Sequence, residues 1–198
     1  YLNDQLNKYE SASESSTAEQ DFQLPDQKWY GDLEDFIYLD NPNTLEKHLA
    51  PYQGDKRAAV LNYAGVFRGN KEKCIAIHLA AEKKKWEAVR YLAQQEGVDV
   101  TIPDGYGLTP LHYVAMYSDN DTELAKLLLM KVEDVTKRMQ YLNQTDDDGD
   151  TPINKAAFNT NWSLVRFLAE QEGVDVTIPD KSNWTPLHYV ARYSDNDT

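Results

Sequence analysis

Apolar residues recur at helical spacing in "WEAVRYLAQ" (86–94), at Trp86, Val89, Tyr91 and Leu92, and again in "WSLVRFLA" (162–169), at Trp162, Val165, Phe167 and Leu168. A glycine follows each run, Gly97 and Gly173, able to take positive φ and so end a helix. Three other segments open on Thr-Pro, at Thr109-Pro110, Thr151-Pro152 and Thr185-Pro186. Threonine can cap a helix, and proline fits the first turn because its missing N–H has no acceptor there. The pattern predicts pairs of short helices, an inner one starting at Thr-Pro and an outer one closed by glycine. Each pair is too short to bury its apolar face alone, so neighbouring pairs must stack.

The stretch "SDNDTELAKLLL" (118–129) adds residues before one outer helix. Leu124, Leu127, Leu128, Val132, Val135 and Met139 continue a single apolar stripe, which predicts one extended, protruding helix through about residue 140. Upstream, Leu2, Leu6 and Tyr9 could line a short helix, and "SASESSTAEQ" (11–20) has the composition of a flexible connection. "GDLEDFIYLD" (31–40) reads as an outer helix. Two further helices are expected around Leu45–Tyr52 and Lys56–Phe67, stopped by Gly54 and Gly69.

Self-similarity organises these elements. "YLAQQEGVDVTIPD" (91–104) returns as "FLAEQEGVDVTIPD" (167–180), and "TPLHYVAMYSDNDT" (109–122) returns as "TPLHYVARYSDNDT" (185–198), both displaced by 76 residues. Weaker echoes, "IAIHLAA" from Ile75 and "TPINKAA" from Thr151, give register starts at 75, 109, 151 and 185 and a unit of about 33 residues with insertions. Near-identity that extends to surface positions indicates duplication of a two-repeat block.

This pattern resembles the ankyrin-repeat family, whose T-P-L-H-x-A signature and 33-residue period it carries in "GLTPLHYVA" (107–115) and "GDTPINKAA" (149–157). Asp104, Asp146 and Asp180 stand where the family places its hairpin aspartate, while the first unit has Asn70 there. The resemblance implies an all-α ankyrin-repeat solenoid of helix-turn-helix repeats with β-hairpin-like tips, preceded by degenerate N-terminal helices. The expected divisions are a short helix and linker at 1–28, degenerate or capping helices at 29–69, repeats at 70–103, 104–145 (with the extended outer helix) and 146–179, and an incomplete repeat at 180–198. Thr198 falls where Thr122 opens an outer helix, so the chain is read as a fragment of a longer array.

A formal charge of −13 argues against nucleic acid and anionic membranes, and suits a protein partner, one with a basic surface among the possibilities. Cys74 is the sole cysteine, which excludes an internal disulfide and a thiolate metal cluster and fits a reducing, intracellular setting. No apolar run is long enough to span a bilayer.

Candidate chemistry is thin. His78, His112 and His188 each hold the fourth place of the repeat register, and stacked repeats hold equivalent atoms about 8–10 Å apart, too far for joint metal coordination. In the family this histidine bonds the backbone of the adjoining turn; Asn154 replaces it in one repeat. "DDDGD" (146–150) fails the spacing of a calcium loop, and Cys74 with His78 is a register coincidence, not a nucleophile and base. The lysines of "EKKKW" (82–86) fall at a turn. No cofactor, metal or catalytic set is expected within these residues.

The resemblance implies binding through the concave side, built from hairpin tips and inner helices. Carried over by register, the tip positions are Tyr106, Leu108, Asp148, Asp150, Ser182 and Trp184, and the inner-helix positions are Met116, Tyr117, Phe158, Asn159, Arg192 and Tyr193. Leu108, Tyr117, Phe158 and Trp184 are expected to form an apolar stripe edged by Asp148 and Asp150. The leading expectation is a non-catalytic protein-interaction scaffold. The alternatives are the target-selecting region of a larger effector, toxin or enzyme, and a structural or self-associating solenoid joined through its unpaired terminal repeat.

Overall fold

The computed structural model describes residues 23–65, 73–119 and 121–193. The expected helix at Leu2–Tyr9, the 11–20 connection and the Gly69 stop lie outside them. The described residues form two compact units, the first ending at Gly105 and the second beginning at Tyr106. Unit one contains α1 (Gln27–Tyr38), α2 (Pro42–Leu49), α3 (Gly54–Leu61), α4 (Ala76–Glu82) and α5 (Trp86–Gln94). Unit two contains α6 (Pro110–Tyr117), α7 (Thr122–Met130), α8 (Val135–Asn143), α9 (Pro152–Phe158), α10 (Trp162–Ala169) and α11 (Pro186–Tyr193). The fold is all-α: among the described residues there is no strand, only an isolated antiparallel bridge between Gly65 and Cys74.

Polar caps fix where these helices begin. The carboxylate of Asp26 accepts from the Trp29 N–H at 2.9 Å, and Asn41, Asp121 and Asn161 cap α2, α7 and α10 in the same manner. The residue before α5 is Lys85, which has no acceptor to offer. Asp40 supplies one from a distant turn, its Oδ1 accepting from the Ala88 N–H at 2.8 Å.

Each passage from an inner to an outer helix carries one residue in the left-handed region: Asp40 (φ 50°), Lys84 (φ 57°), Asp119 (φ 40°) and Thr160 (φ 57°). This series corrects the reading of 31–40 as an outer helix. α1 precedes such a turn and packs on α2 and α4, as α6 packs on α7 and α9, so α1 holds an inner place. Gly54 is likewise not a stop: with φ +54° it opens α3.

The extended outer helix is two helices. Asp134 takes an extended backbone and accepts the Lys137 N–H at 2.8 Å, so a new cap interrupts the stripe and α8 follows as a separate helix that buries Tyr141 and Leu142. α8 is the counterpart of α3. Both contain Lys-Arg-x-x-x-Leu-Asn, at 56–62 and 137–143, and the two asparagines act alike. Asn62 donates to the Gly97 carbonyl at 2.8 Å and accepts from the Asp99 N–H at 2.9 Å. Asn143 donates to the Gly173 carbonyl and accepts from the Asp175 N–H, both at 2.7 Å. A Cβ at Gly97 would meet Ala58, and one at Gly173 would meet Met139, the residues that follow Arg57 and Arg138. The duplicated block therefore reaches back through α1, α2 and α3.

Outer-helix burial is shifted from the expected stripe. Ala88, Val89, Leu92 and Ala93 of α5 are buried, whereas Trp86 and Tyr91 are half-buried. Leu164 and Leu168 play the buried part in α10, with Trp162, Val165 and Phe167 half-buried.

Candidate functional site

In unit two, three turns project beside three inner helices. Asp146 Oδ1 accepts the N–H groups of Asp148 and Asp150, both at 2.9 Å, and Asp180 Oδ1 accepts those of Ser182 and Trp184, both at 2.8 Å. Such side-chain-closed turns need an aspartate or asparagine, which explains that position in the repeat. Successive turns are joined through the backbone, Asp147 N–H to the Tyr106 carbonyl and Lys181 N–H to the Asp148 carbonyl, both at 2.9 Å. Gly107 and Gly149 sit at positive φ where a Cβ would lie 3.0 Å from the next turn's backbone. Asn183 takes that conformation in the third turn.

The inner helices are anchored below the tips. At α6 the Thr109 N–H and hydroxyl both reach Nδ1 of His112, at 3.1 and 2.8 Å, and His112 Nε2 donates to the Asp150 carbonyl at 3.1 Å. Asn154 reproduces the bridge in α9: its Oδ1 accepts from Thr151 Oγ1 at 3.1 Å and its Nδ2 donates to the Ile178 carbonyl at 3.2 Å. His78 and His112 are fully buried, and burial pushes each down to about 4, so both imidazoles are neutral struts. Among the described residues no group of three or more His, Cys, Asp and Glu is placed to hold a metal ion.

Lys155, on α9, turns its ammonium under the second tip, 2.7 Å from Asp146 and 2.8 Å from Asp150. Burial works against its charge, yet the two carboxylates hold its pKa above the usual value. Asp150 is itself raised, because burial outweighs the help of Lys155. The expected acidic edge is thereby altered. Asp150 faces inward to Lys155, and the exposed carboxylates of this tip are Asp147 and Asp148.

An aromatic cluster occupies the face beyond that ion triad. Tyr189 is its hub, 5.1 Å from the Trp184 ring, 5.5 Å edge-on from Phe158 and 6.5 Å stacked on Tyr193. The Arg192 guanidinium lies 5.3 Å from the Trp184 ring and 5.6 Å from Tyr193. Tyr189 donates its hydroxyl to Asp180, which fixes the ring, and burial first and that bond second raise its pKa. Asp180 is held below the ordinary carboxylate range although burial opposes it, by the Tyr189 hydroxyl and the Trp184 and Ser182 N–H groups.

The structure thus brings together Phe158, Trp184, Arg192 and Tyr193 of the expected surface, while Phe158 itself stays 52 % exposed. Asn159 and Ser182 are exposed at its edge. Tyr117 packs instead near Tyr113, 6.4 Å between rings, Met116 is half-buried on α6, Tyr106 is exposed and Leu108 half-buried at the first tip. The residue missed was Tyr189. It follows the repeat histidine, a place held by Lys155 in one repeat, and only the alternation Tyr113, Lys155, Tyr189 marks it in the sequence.

Among the described residues no helix is long and apolar enough to cross a membrane. A family model for ankyrin repeats in three copies matches residues 47–140 and 135–198. An ankyrin repeat protein of Fowlpox virus (strain NVSL) is 26 % identical over 142 residues, covering 59 % of this chain and 73 % of its own. Ankyrin repeat and SAM domain-containing protein 6 of Rattus norvegicus is 29 % identical over 119 residues, 60 % of this chain and 12 % of that protein. NAD-dependent deacetylase sir2B of Dictyostelium discoideum is 26 % identical over 151 residues, 61 % of this chain and 18 % of its own. The chain therefore spans most of the viral relative but under a fifth of the other two.

Proposed function

The chain belongs to the ankyrin-repeat family, whose repeats are generally protein–protein interaction modules, and from that premise we propose that it binds a protein partner through the tips and inner helices of residues 106–193. The observation that carries the reading is the Phe158, Trp184, Tyr189, Tyr193 and Arg192 cluster. Aromatic rings held rigid by neighbours and flanked by arginine are the groups that dominate interface energetics. The partner supplies an apolar anchor for Phe158 and Trp184, and a basic group for Asp147 and Asp148. The role is recognition without catalysis within these residues.

The test is affinity capture by the chain and by a Phe158→Ala, Trp184→Ala variant of unchanged helicity, followed by calorimetric titration of the captured protein. The expected result is a loss of at least about tenfold in affinity. Equal binding by both proteins overturns this assignment.

A second reading is favoured by the matches to segments of much longer proteins, one of them a deacetylase. Here the same face selects the target for an activity elsewhere in a longer chain. A catalytic rate toward the captured protein that depends on Trp184 while activity on a free small substrate does not is its signature.

A further inference from the structure

The duplicated block contains the same surface site twice, once filled and once open. In unit one, Arg57 donates to the Glu46 carboxylate at 3.2 and 3.3 Å, to Gln95 Oε1 at 2.8 Å, and to the carbonyls of Tyr52 and Leu49. The Tyr91 hydroxyl donates to the same carboxylate, and those bonds, Tyr91's first and Arg57's second, hold Glu46 below the ordinary carboxylate range. The guanidinium is thus neutralised from within.

In unit two, the Lys-Arg-x-x-x-Leu-Asn match puts Arg138 in the place of Arg57, and the 76-residue repeat puts Phe167 for Tyr91 and Gln171 for Gln95. The hydroxyl that steadied the carboxylate is gone. The wall that carried Glu46 belonged to α2; its counterpart α7 offers Lys126, Leu129 and Met130. These, with Val135, Leu142 and Glu172, line an open groove of about 330 Å³. Among the described residues Arg138 has no ion pair, and Lys126 reaches only Glu123, at 3.9 Å on the exposed surface, a weak pairing. Met130 is 66 % exposed and Val135 is exposed beside it, so the floor is apolar and open to a partner.

We propose that this groove binds an acidic, amphipathic segment of a partner protein, its carboxylate on Arg138 and Lys126 and its apolar side chains on Phe167, Leu129, Met130 and Val135. The first copy of the block shows which group satisfies this arginine. The second copy keeps the arginine and the glutamine, and has Lys126 where the first has Glu46, with Glu172 the one carboxylate left in the lining. In a chain of charge −13, the lining's two cations, Lys126 and Arg138, outnumber its one carboxylate, Glu172, and this local positive excess around apolar side chains selects for an acidic ligand. The volume sits at the lower end of ligand pockets, roughly 300–1,000 Å³, enough for anchoring side chains laid in by a helix. A nucleic acid is disfavoured by the apolar floor and by the chain's overall charge. The groove shares no residue with the aromatic cluster, and its test is independent of that one.

The experiment selects a phage-displayed library of helix-forming peptides on the intact chain, on Arg138→Glu, and on Lys126→Glu, which returns a carboxylate to the groove wall. Circular dichroism establishes that both variants are folded. The expected outcome is enrichment of peptides with Asp or Glu beside apolar residues at helical spacing. Synthetic copies should bind at least about tenfold more weakly to either variant, and to the chain when their acids are changed to Gln or Asn. No enrichment, enrichment of neutral or basic peptides, or equal binding by Arg138→Glu overturns the proposal. Concentration-dependent self-association in sedimentation velocity that Arg138→Glu abolishes overturns it in favour of a second copy as the occupant.

Discussion

Asn143 grips the turn at Gly173 from both sides, its Nδ2 donating a hydrogen bond to the Gly173 carbonyl and its Oδ1 accepting one from the Asp175 N–H two residues on. The same clamp, made by Asn62 on Gly97 and Asp99, organises the other unit. In each case a helix belonging to one repeat closes the turn that ends the next, so repeats are coupled by a polar fastening as well as by apolar contact.

Asn143→Ala removes both bonds and leaves the groups of the Gly173–Asp175 turn to water. The expected loss is about 1–3 kcal/mol. Asn62→Ala should cost a similar amount in the other unit. Chemical denaturation of each variant, with hydrogen exchange at the affected turn, checks both.

Acid should destabilise the protein through its buried histidines. The folded-state values of His78 and His112, about 4, lie below the ordinary 6.5, so the unfolded chain binds more protons between these limits. The histidines' contribution to stability is full above pH 6.5 and is lost as pH drops toward 4. His112→Asn copies the bridge that Asn154 already makes and removes the titrating group. Its melting temperature should show a shallower decline across that window than the parent's, and the His78→Asn, His112→Asn double variant a shallower one still.

Leu111 and Leu187 are the same residue of two copies and differ completely in burial, 0 % against 72 % exposed. Leu111→Ala should cost about 2–5 kcal/mol by cavity formation, and Leu187→Ala under about 0.5 kcal/mol. Comparable losses in urea denaturation would show that the α11 face is covered in solution. Self-association is then the first explanation to examine by light scattering.

Thr160 holds φ at 57° with a β-branched side chain, a conformation costing about 1–2 kcal/mol. Thr160→Gly removes that strain at some cost in unfolded-chain entropy, for an expected gain of roughly 0.5–1 kcal/mol. Lys84→Gly, at the same turn of the earlier block, serves as the parallel measurement by calorimetry.

The repeat was legible because its signals are local. Thr-Pro sets a helix start, the aspartate of each tip closes its own turn, and the 76-residue echo fixes the register. α8 was misread because apolar spacing alone runs through Val132 and Val135 without a break. The break is an N-cap, and Asp134 is one acid among many in this chain. Its kinship with α3 was hidden because insertions change the displacement from 76 to 81 residues there, although Lys-Arg-x-x-x-Leu-Asn stands in plain view. The site was harder. Register picked out Phe158, Trp184, Arg192 and Tyr193, but nothing in the order of residues says that Lys155 draws Asp150 inward or that Tyr189 joins the rings.

The backbone rungs between tips, from Asp147 to Tyr106 and from Lys181 to Asp148, run one after the other along the stack. Tension applied in that direction loads the junctions between repeats in series, each rung sharing the force with the helix packing beneath it, so the weaker junction opens first. A pulled array would lengthen in discrete steps, one rung at a time, and would close again rung by rung when the load was released.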